Sequence, residues 1–337
     1  MARGSAIVGV GLLLATAAGA PAQAQSVADF YKGKTVNLLI GVGVGGEYDL
    51  QARLVARHLG KHIPGNPNVV PQNMTGAGGI NMANHLYNTV ARDGTFMAMM
   101  GNNFPATQAV GGKSVKFDAG KFQWLGTIAP VVETMAVWHT AGVKIMDDLR
   151  KQEVVAGASG RGAITYFYPM MMNAFLGTKF KIVTGYPGGN QINLAMERGE
   201  VEARNNTWSS WKATRPQWLK DKQIYVVAQA GPRAPDLDAP SVEELAKTPD
   251  DRLTIELIVS GTQLGRPFAT TPDVPADRLA ALRDAFRATM KDPEFLKDAA
   301  QLNFEVDPVY GEPMQKTVEK ILSTPKNLAE RAKEFLE

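Results

Sequence analysis

Two hydrophobic rhythms alternate along the chain. Short apolar runs bounded by Gly, Pro, Asn or Asp predict strands at Thr35–Val42, Val69–Asn73, Thr95–Met100, Phe122–Ile128, Thr134–Trp138, Glu153–Ala156, Phe180–Thr184 and Ile224–Gln229. Glu200–Ala203 predicts another short strand, and Thr254–Val259 and Arg266–Thr270 predict extended segments. Between them, apolar positions recur at helical spacing over Asp49–Leu59, Ile80–Val90, Thr165–Phe175 and Asn190–Arg198. The tail repeats that spacing over Ala276–Lys291, Glu294–Gln301, Met314–Leu322 and Asn327–Leu336. Strands alternating with helices predict parallel sheets covered on both faces.

A looser echo is superimposed on this rhythm. Strand, Gly-rich turn and helix occur together near residues 45, 76, 160 and 188, two before residue 128 and two after it. That distribution fits two α/β lobes, each presenting Gly-rich loops at the carboxyl ends of its strands, where ligands bind in open α/β sheets. The segments around Ile255–Thr270 would carry the chain back to the first lobe, and the C-terminal helices would complete it.

The first residues follow another pattern. Arg3 precedes an apolar segment, Ile7–Ala18, and Ala22-Gln23-Ala24 then supplies a small-x-small cleavage site. The apolar core is short for a bilayer span, so Met1–Ala24 reads as a removed secretory signal. The 337 residues contain no cysteine, which excludes disulfides, thiolate metal sites, a cysteine nucleophile and a lipid-modified cysteine after the leader. An exported, cysteine-free chain suits a bacterial periplasm. The net charge of +3 comes with no basic run, so nucleic acid is not an expected partner.

Gly41, Gly43 and Gly46 satisfy the dinucleotide spacing GxGxxG. That reading needs an acidic residue at the end of the second strand, and His58–Asn73 contains none. Gly41 and Gly43 therefore read as a strand end. Gly45 and Gly46, before a helix, leave bare backbone N–H groups with the positive helix end behind them, a site for a carboxylate or phosphate. Asp49 reads as an N-cap paired with Arg53 one turn on. At the loop tip, Tyr48 offers a ring face and a hydroxyl, while Glu47 is expected to face water.

Catalytic arrangements are thin. Gly157-Ala158-Ser159-Gly160-Arg161 misses the final Gly of a GxSxG elbow. His58 and His62 stand four apart, but Gly60 lies between them and Pro64 follows, which makes them helix-end residues rather than zinc ligands. The pairs Asp147-Asp148, Glu243-Glu244 and Asp250-Asp251 read as solvated loop or helix-start acids, and Met170–Met172 as core. No cofactor or metal is expected. Two second-lobe features are sharper. Arg161, at a strand-to-helix turn, can grip a carboxylate bidentately, and stands equally well as an exposed loop arginine. Arg204-Asn205-Asn206-Thr207-Trp208-Ser209-Ser210-Trp211 can surround a small polar ligand that has an apolar body, or can be a capped helix start with packed tryptophans.

These residues resemble a known family. Gly45-Gly46-Glu47-Tyr48-Asp49 with Arg53 is similar to the Gly-Gly-x-x-Asp…Ala-Arg block of the tripartite tricarboxylate transporter substrate-binding proteins, the Bug family of periplasmic receptors. Thr75-Gly76-Ala77-Gly78-Gly79 resembles their Pro-Gly-Ala-Gly-Gly, with Thr75 in place of proline. Ala91–Thr95, Gly160-x-Gly162, Tyr186-Pro187-Gly188-Gly189 and Ile224–Gln229 with Arg233 resemble later motifs, in order over nearly all of the chain after the leader.

The resemblance implies a type II-like, two-lobed periplasmic-binding fold, each lobe a mainly parallel sheet flanked by helices, with the ligand cleft between them. It implies lobe 1 over residues 25–128, lobe 2 over 129–232, and a return crossover with the rest of lobe 1 over 233–337. It further implies a monomer that captures a small organic acid, without chemistry, for a two-component membrane permease. By position, Gly46, Glu47, Tyr48 and Asp49 would form the first ligand loop, followed by Asn102 and Asn103. Ser159, Gly160, Arg161, Gly162 and Ala163 would face it, with Tyr186 and Gly188 nearby. Ala163, Tyr166, Pro187 and Asn193 depart from the family's usual residues, so Arg161 or Arg204 is expected to replace a lost hydroxyl contact, with Asn206 and Trp208 covering the ligand. A sensor receptor with the same cleft and, further off, an exported hydrolase are the alternatives, although no histidine stands in the Gly-rich loops.

Overall fold

The computed structural model describes Met1 and residues 25–336; the secretory signal, read on residues 1–24, lies outside them apart from Met1. The strands are β1 (Thr35–Ile40), β2 (Asn68–Asn73), β3 (Phe96–Met99), β4 (Gln123–Thr127), β5 (Glu133–Trp138), β6 (Val154–Ala158), β7 (Phe180–Thr184), β8 (Ala203–Thr207), β9 (Ile224–Ala230), β10 (Phe268–Thr270) and β11 (Val309–Tyr310). They form two helix-flanked sheets, β11-β4-β10-β3-β1-β2 in the first lobe and β7-β6-β8-β5-β9 in the second.

Each sheet is mixed, with most of its strands running in one direction, in line with the mainly parallel sheets expected. β1 pairs in parallel with β2 and β3, and β6 with β7 and β8. β5 and β10 run antiparallel to their neighbours. Both are the first strand after the chain crosses from one lobe to the other. Such a strand starts at the interlobe cleft and runs away from it, whereas the strand of a strand–turn–helix unit ends there. The two crossings are tied together, with Val131 N–H donating to the Thr262 carbonyl at 2.9 Å.

The local logic is clearest in the first unit. β1 is covered on both faces, so Val36, Leu38, Leu39 and Ile40 are all buried. The helix Glu47–Leu59 lays Ala52, Val55, Ala56 and Leu59, one apolar stripe, into the core beside it. Truncating a fully buried residue such as Leu38 to Ala would cost about 2–5 kcal/mol.

Two expectations fail. Thr254–Val259 lies in a helix, Pro249–Val259, whose cap Thr248 accepts from the Asp251 N–H at 3.1 Å, with Pro249 and two aspartates in the first turn. The strand expected at Glu200–Ala203 lies later, as Ala203–Thr207. There it pairs with β5 and β6 and buries every residue, polar ones included. The C-terminal helix Lys326–Leu336 packs against Pro249–Val259 and against Ile164–Met171 of the second lobe. No described helix is long and apolar enough to cross a membrane.

Candidate functional site

All four Gly-rich turns meet at one cavity of about 80 Å³ between the lobes. Of the helices that begin there, four follow the Gly-rich turns: Glu47–Leu59 and Ile80–Asn88 from the first lobe, Ile164–Met171 and Gly189–Glu197 from the second. Their caps are Gly46, Gly79, Ala163 and Gly188, and none supplies a side-chain hydrogen bond. Four positive helix ends therefore face one space without side-chain acceptors at their caps, which favours an anion.

The lobes touch around this space. Gly43 N–H donates to the Pro187 carbonyl at 2.9 Å, and Asn103 Nδ2 donates to the Gly162 carbonyl at 2.8 Å. Glycine is required where backbones approach this closely: a Cβ on Gly160 would lie 2.7 Å from the Gly78 nitrogen across the cleft.

The cavity also takes charge from residues outside the Gly-rich turns. Arg266, just before β10, and Glu133, the first residue of β5, both line the cavity. Arg266 Nη2 donates to Glu47 Oε2 at 2.9 Å, and its Nη1 lies 3.5 Å from Glu133 Oε1. Glu47 thus does not face water. It is buried, 4% exposed, because Arg266 and the second-lobe hydroxyls of Thr207 and Ser209 all donate to it. Burial opposes the charge on Arg266, but Tyr48, Glu47 and Glu133 around it restore that charge and hold its pKa above the usual arginine range. Its guanidinium carbon stands 4.0 Å from the Tyr48 ring centre, a cation–π contact. No hydropathy pattern marks either residue; their signal is position, at the start of the strand that follows each crossing.

Arg204 differs from Arg266. It is buried and lines the cavity, and it donates to the carbonyls of Asn205 and Gly189 and to Asn193 Oδ1. Among the described residues no carboxylate pairs with it. Burial pulls its pKa down to about 9, helped by Arg215 and Arg266 and opposed by Glu133, so it still carries its proton at neutral pH. Asn206, also lining the cavity, has a buried Nδ2 with no partner.

Of the residues expected at the site, Gly46, Glu47, Tyr48 and Asn103 line the cavity from the first lobe. Ser159, Ala163, Gly188, Arg204 and Asn206 line it from the second. Asp49, Asn102, Gly160, Arg161, Gly162, Tyr186 and Trp208 lie outside that lining. Asp49 is not the N-cap, which is Gly46; it sits in the first helical turn. There it accepts from Gly45 N–H and Arg53 Nε at 3.0 Å and from Asn73 Nδ2 at 2.9 Å. Burial would raise its pKa, but these donors lower it. Asn102 Nδ2 donates to Glu133 Oε1 at 3.3 Å. Arg161 is exposed, 5.9 Å from the Tyr166 ring centre, and Trp208 donates to Asp236. Ser159 lies beside Thr165, with their hydroxyl oxygens 3.3 Å apart, and no histidine is among the lining residues. His58 and His62 meet Asp298 and Asp292, at 3.0 and 2.8 Å, and tie two helices together.

No protein-family profile matches the chain, and no curated protein matches it in sequence. Solved structures do match it in fold. The periplasmic binding protein BugD superposes with a TM-score of 0.73 at 19% identity, over 90% of this chain and 98% of that one. Rpa4515 from R. palustris, with adipate, gives 0.68 at 19% identity over 89% and 97%. MatC from Rhodopseudomonas palustris, with bound malate, gives 0.66 at 17% identity over 90% and 99%. The chain therefore has the two-lobed fold of periplasmic binding proteins.

Proposed function

We propose that the protein is a periplasmic solute receptor of the tripartite tricarboxylate, or Bug, type. It captures a small organic acid between its lobes and delivers it to a two-component membrane permease, without chemistry. Arg204 is the observation that carries this reading. A guanidinium kept in a cleft without a carboxylate, beside an unpartnered Asn206 amide and four helix N-termini, is complementary to an acid supplied from outside. The secretory leader read from residues 1–24 supports export. Two proteins that share the fold hold adipate and malate, which supports the ligand class.

Binding would close the lobes by a hinge at the two crossings, with ligand contacts to both lobes stabilising the closed arrangement. The test is a thermal-shift screen over mono-, di- and tricarboxylic acids with the chain lacking residues 1–24. A ligand that binds the folded state alone raises the melting temperature. An acid that raises it by several degrees supports the reading, and a panel in which none does so overturns it.

A further inference from the structure

The charged side chains lining the cavity are Glu47, Glu133, Arg204 and Arg266. Two acids and two arginines balance formally, but they are not distributed evenly. Arg266 has both acids to itself, at 2.9 and 3.5 Å. Glu47 is already surrounded by donors from Gln51, Thr207, Ser209 and Arg266. Glu133 takes Asn102 and Asn205 besides Arg266. Arg266 Nε and Nη1 are buried without a hydrogen-bond partner, but two carboxylates stand beside that guanidinium. The guanidinium with no carboxylate is that of Arg204, and two residues along the same strand lies the buried unpartnered Nδ2 of Asn206. Alternate residues of a strand share a face, so these donors point the same way.

The rest of the wall adds no charged side chain; Ser159, Thr165, Asn190 and Thr214 in it are polar and neutral. Met82, Met99, Phe104 and Ile164 contribute apolar surface.

We propose that the site selects a monocarboxylate, whose carboxylate sits on Arg204 and Asn206 and whose aliphatic body packs on Met82, Met99, Phe104 and Ile164. This rests on the receptor reading above and narrows it. A second carboxylate on the ligand would lie against the apolar wall, among neutral polar groups, or beside Glu47 and Glu133, whose two charges exceed the one of Arg266. In each place it loses hydration without gaining an unmatched cationic side chain.

Isothermal titration of the protein lacking residues 1–24, at neutral pH, compares acids of equal carbon number: butanoate against succinate, and hexanoate against adipate. Butanoate is expected to bind at least tenfold tighter than succinate, and hexanoate tighter than adipate. Equal or tighter binding of the dicarboxylates overturns this inference while leaving an organic-acid receptor standing. Binding of none of the four overturns this inference, while the wider thermal-shift screen decides the receptor reading itself. Arg204→Gln, if it folds by circular dichroism, is expected to lose at least tenfold in butanoate affinity, and unchanged affinity overturns the assignment. Should that variant not fold, Asn206→Ala is expected to weaken butanoate severalfold, and no weakening counts against it.

Discussion

Glu47 and Arg266 meet at 2.9 Å with 2% and 4% of their side chains exposed, 219 residues apart in sequence. Glu47 comes from the first strand-to-helix turn, and Arg266 from the point where the chain re-enters the same lobe. Removing one partner of a buried pair leaves the other charged and dry, so Glu47→Ala is expected to lower unfolding stability by about 3–5 kcal/mol. The double change Glu47→Leu with Arg266→Met removes both charges and is expected to lose less. Urea denaturation of the three proteins decides it, and a loss below about 1 kcal/mol for the single change would mean that the pair contributes little.

Ser209 reaches across the cleft to the same carboxylate, its Oγ donating to Glu47 Oε1 at 2.6 Å. A hydrogen bond to a charged group contributes about 1.5–3 kcal/mol, and this one exists only while the lobes touch. Ser209→Ala is therefore expected to shift the lobe equilibrium toward the open form by about tenfold or more. Small-angle scattering reads this as a larger radius of gyration for the ligand-free variant. A radius equal to that of the parent would show that the contact does not hold the lobes together.

Acid stability should register the helix junction far from the cleft. Asp292 caps the helix Pro293–Gln301 through the Glu294 N–H at 2.9 Å and meets Lys61 at 2.6 Å and His62 at 2.8 Å. The Lys61 hydrogen bond, then that of His62, holds its carboxyl well below the usual carboxylate range, against burial. A depressed pKa contributes stability above the unfolded value of about 3.9 and loses it as the pH falls through the folded one. Asp292→Asn is thus expected to be less stable than the parent at pH 7, with the gap narrowing steadily below about pH 4. Thermal unfolding at pH 7 and pH 3 checks this, and a gap of equal size at both values contradicts it.

The alternation of strand, Gly-rich turn and helix was legible because each unit is local: apolar run, glycines, then a 3.6-residue stripe. So was the pairing of Asp49 with Arg53, one helical turn apart. β8 was misplaced because Ala203–Thr207 is buried throughout and polar, so no alternation marks it. Its side chains are satisfied by partners from other elements, as Asn205 is by Glu133. Thr254–Val259 reads as extended from its apolar residues alone, whereas the Thr248-Pro249-Asp250-Asp251 start caps a helix that runs through it. Glu133 and Arg266 could not be paired from sequence, since only the two crossings bring them to one point.

Gly160 separates folding from closing. It does not have a positive φ, so alanine is compatible with its backbone. Across the cleft, however, a Cβ there would lie 2.7 Å from the Gly78 nitrogen and 2.9 Å from the Ala77 carbonyl carbon, and neither is the end of a flexible side chain. Closure would have to stop short by some tenths of an ångström, which pulls apart short contacts such as Asn103 to Gly162 at 2.8 Å. Gly160→Ala is therefore expected to unfold within about 0.5 kcal/mol of the parent, as a change that meets no obstacle inside its own lobe should. Its affinity for an organic acid is expected to fall at least tenfold, and its radius of gyration to respond less to that ligand. Parent-like affinity together with a parent-like response would show that the two glycine turns are not the surfaces on which the lobes close.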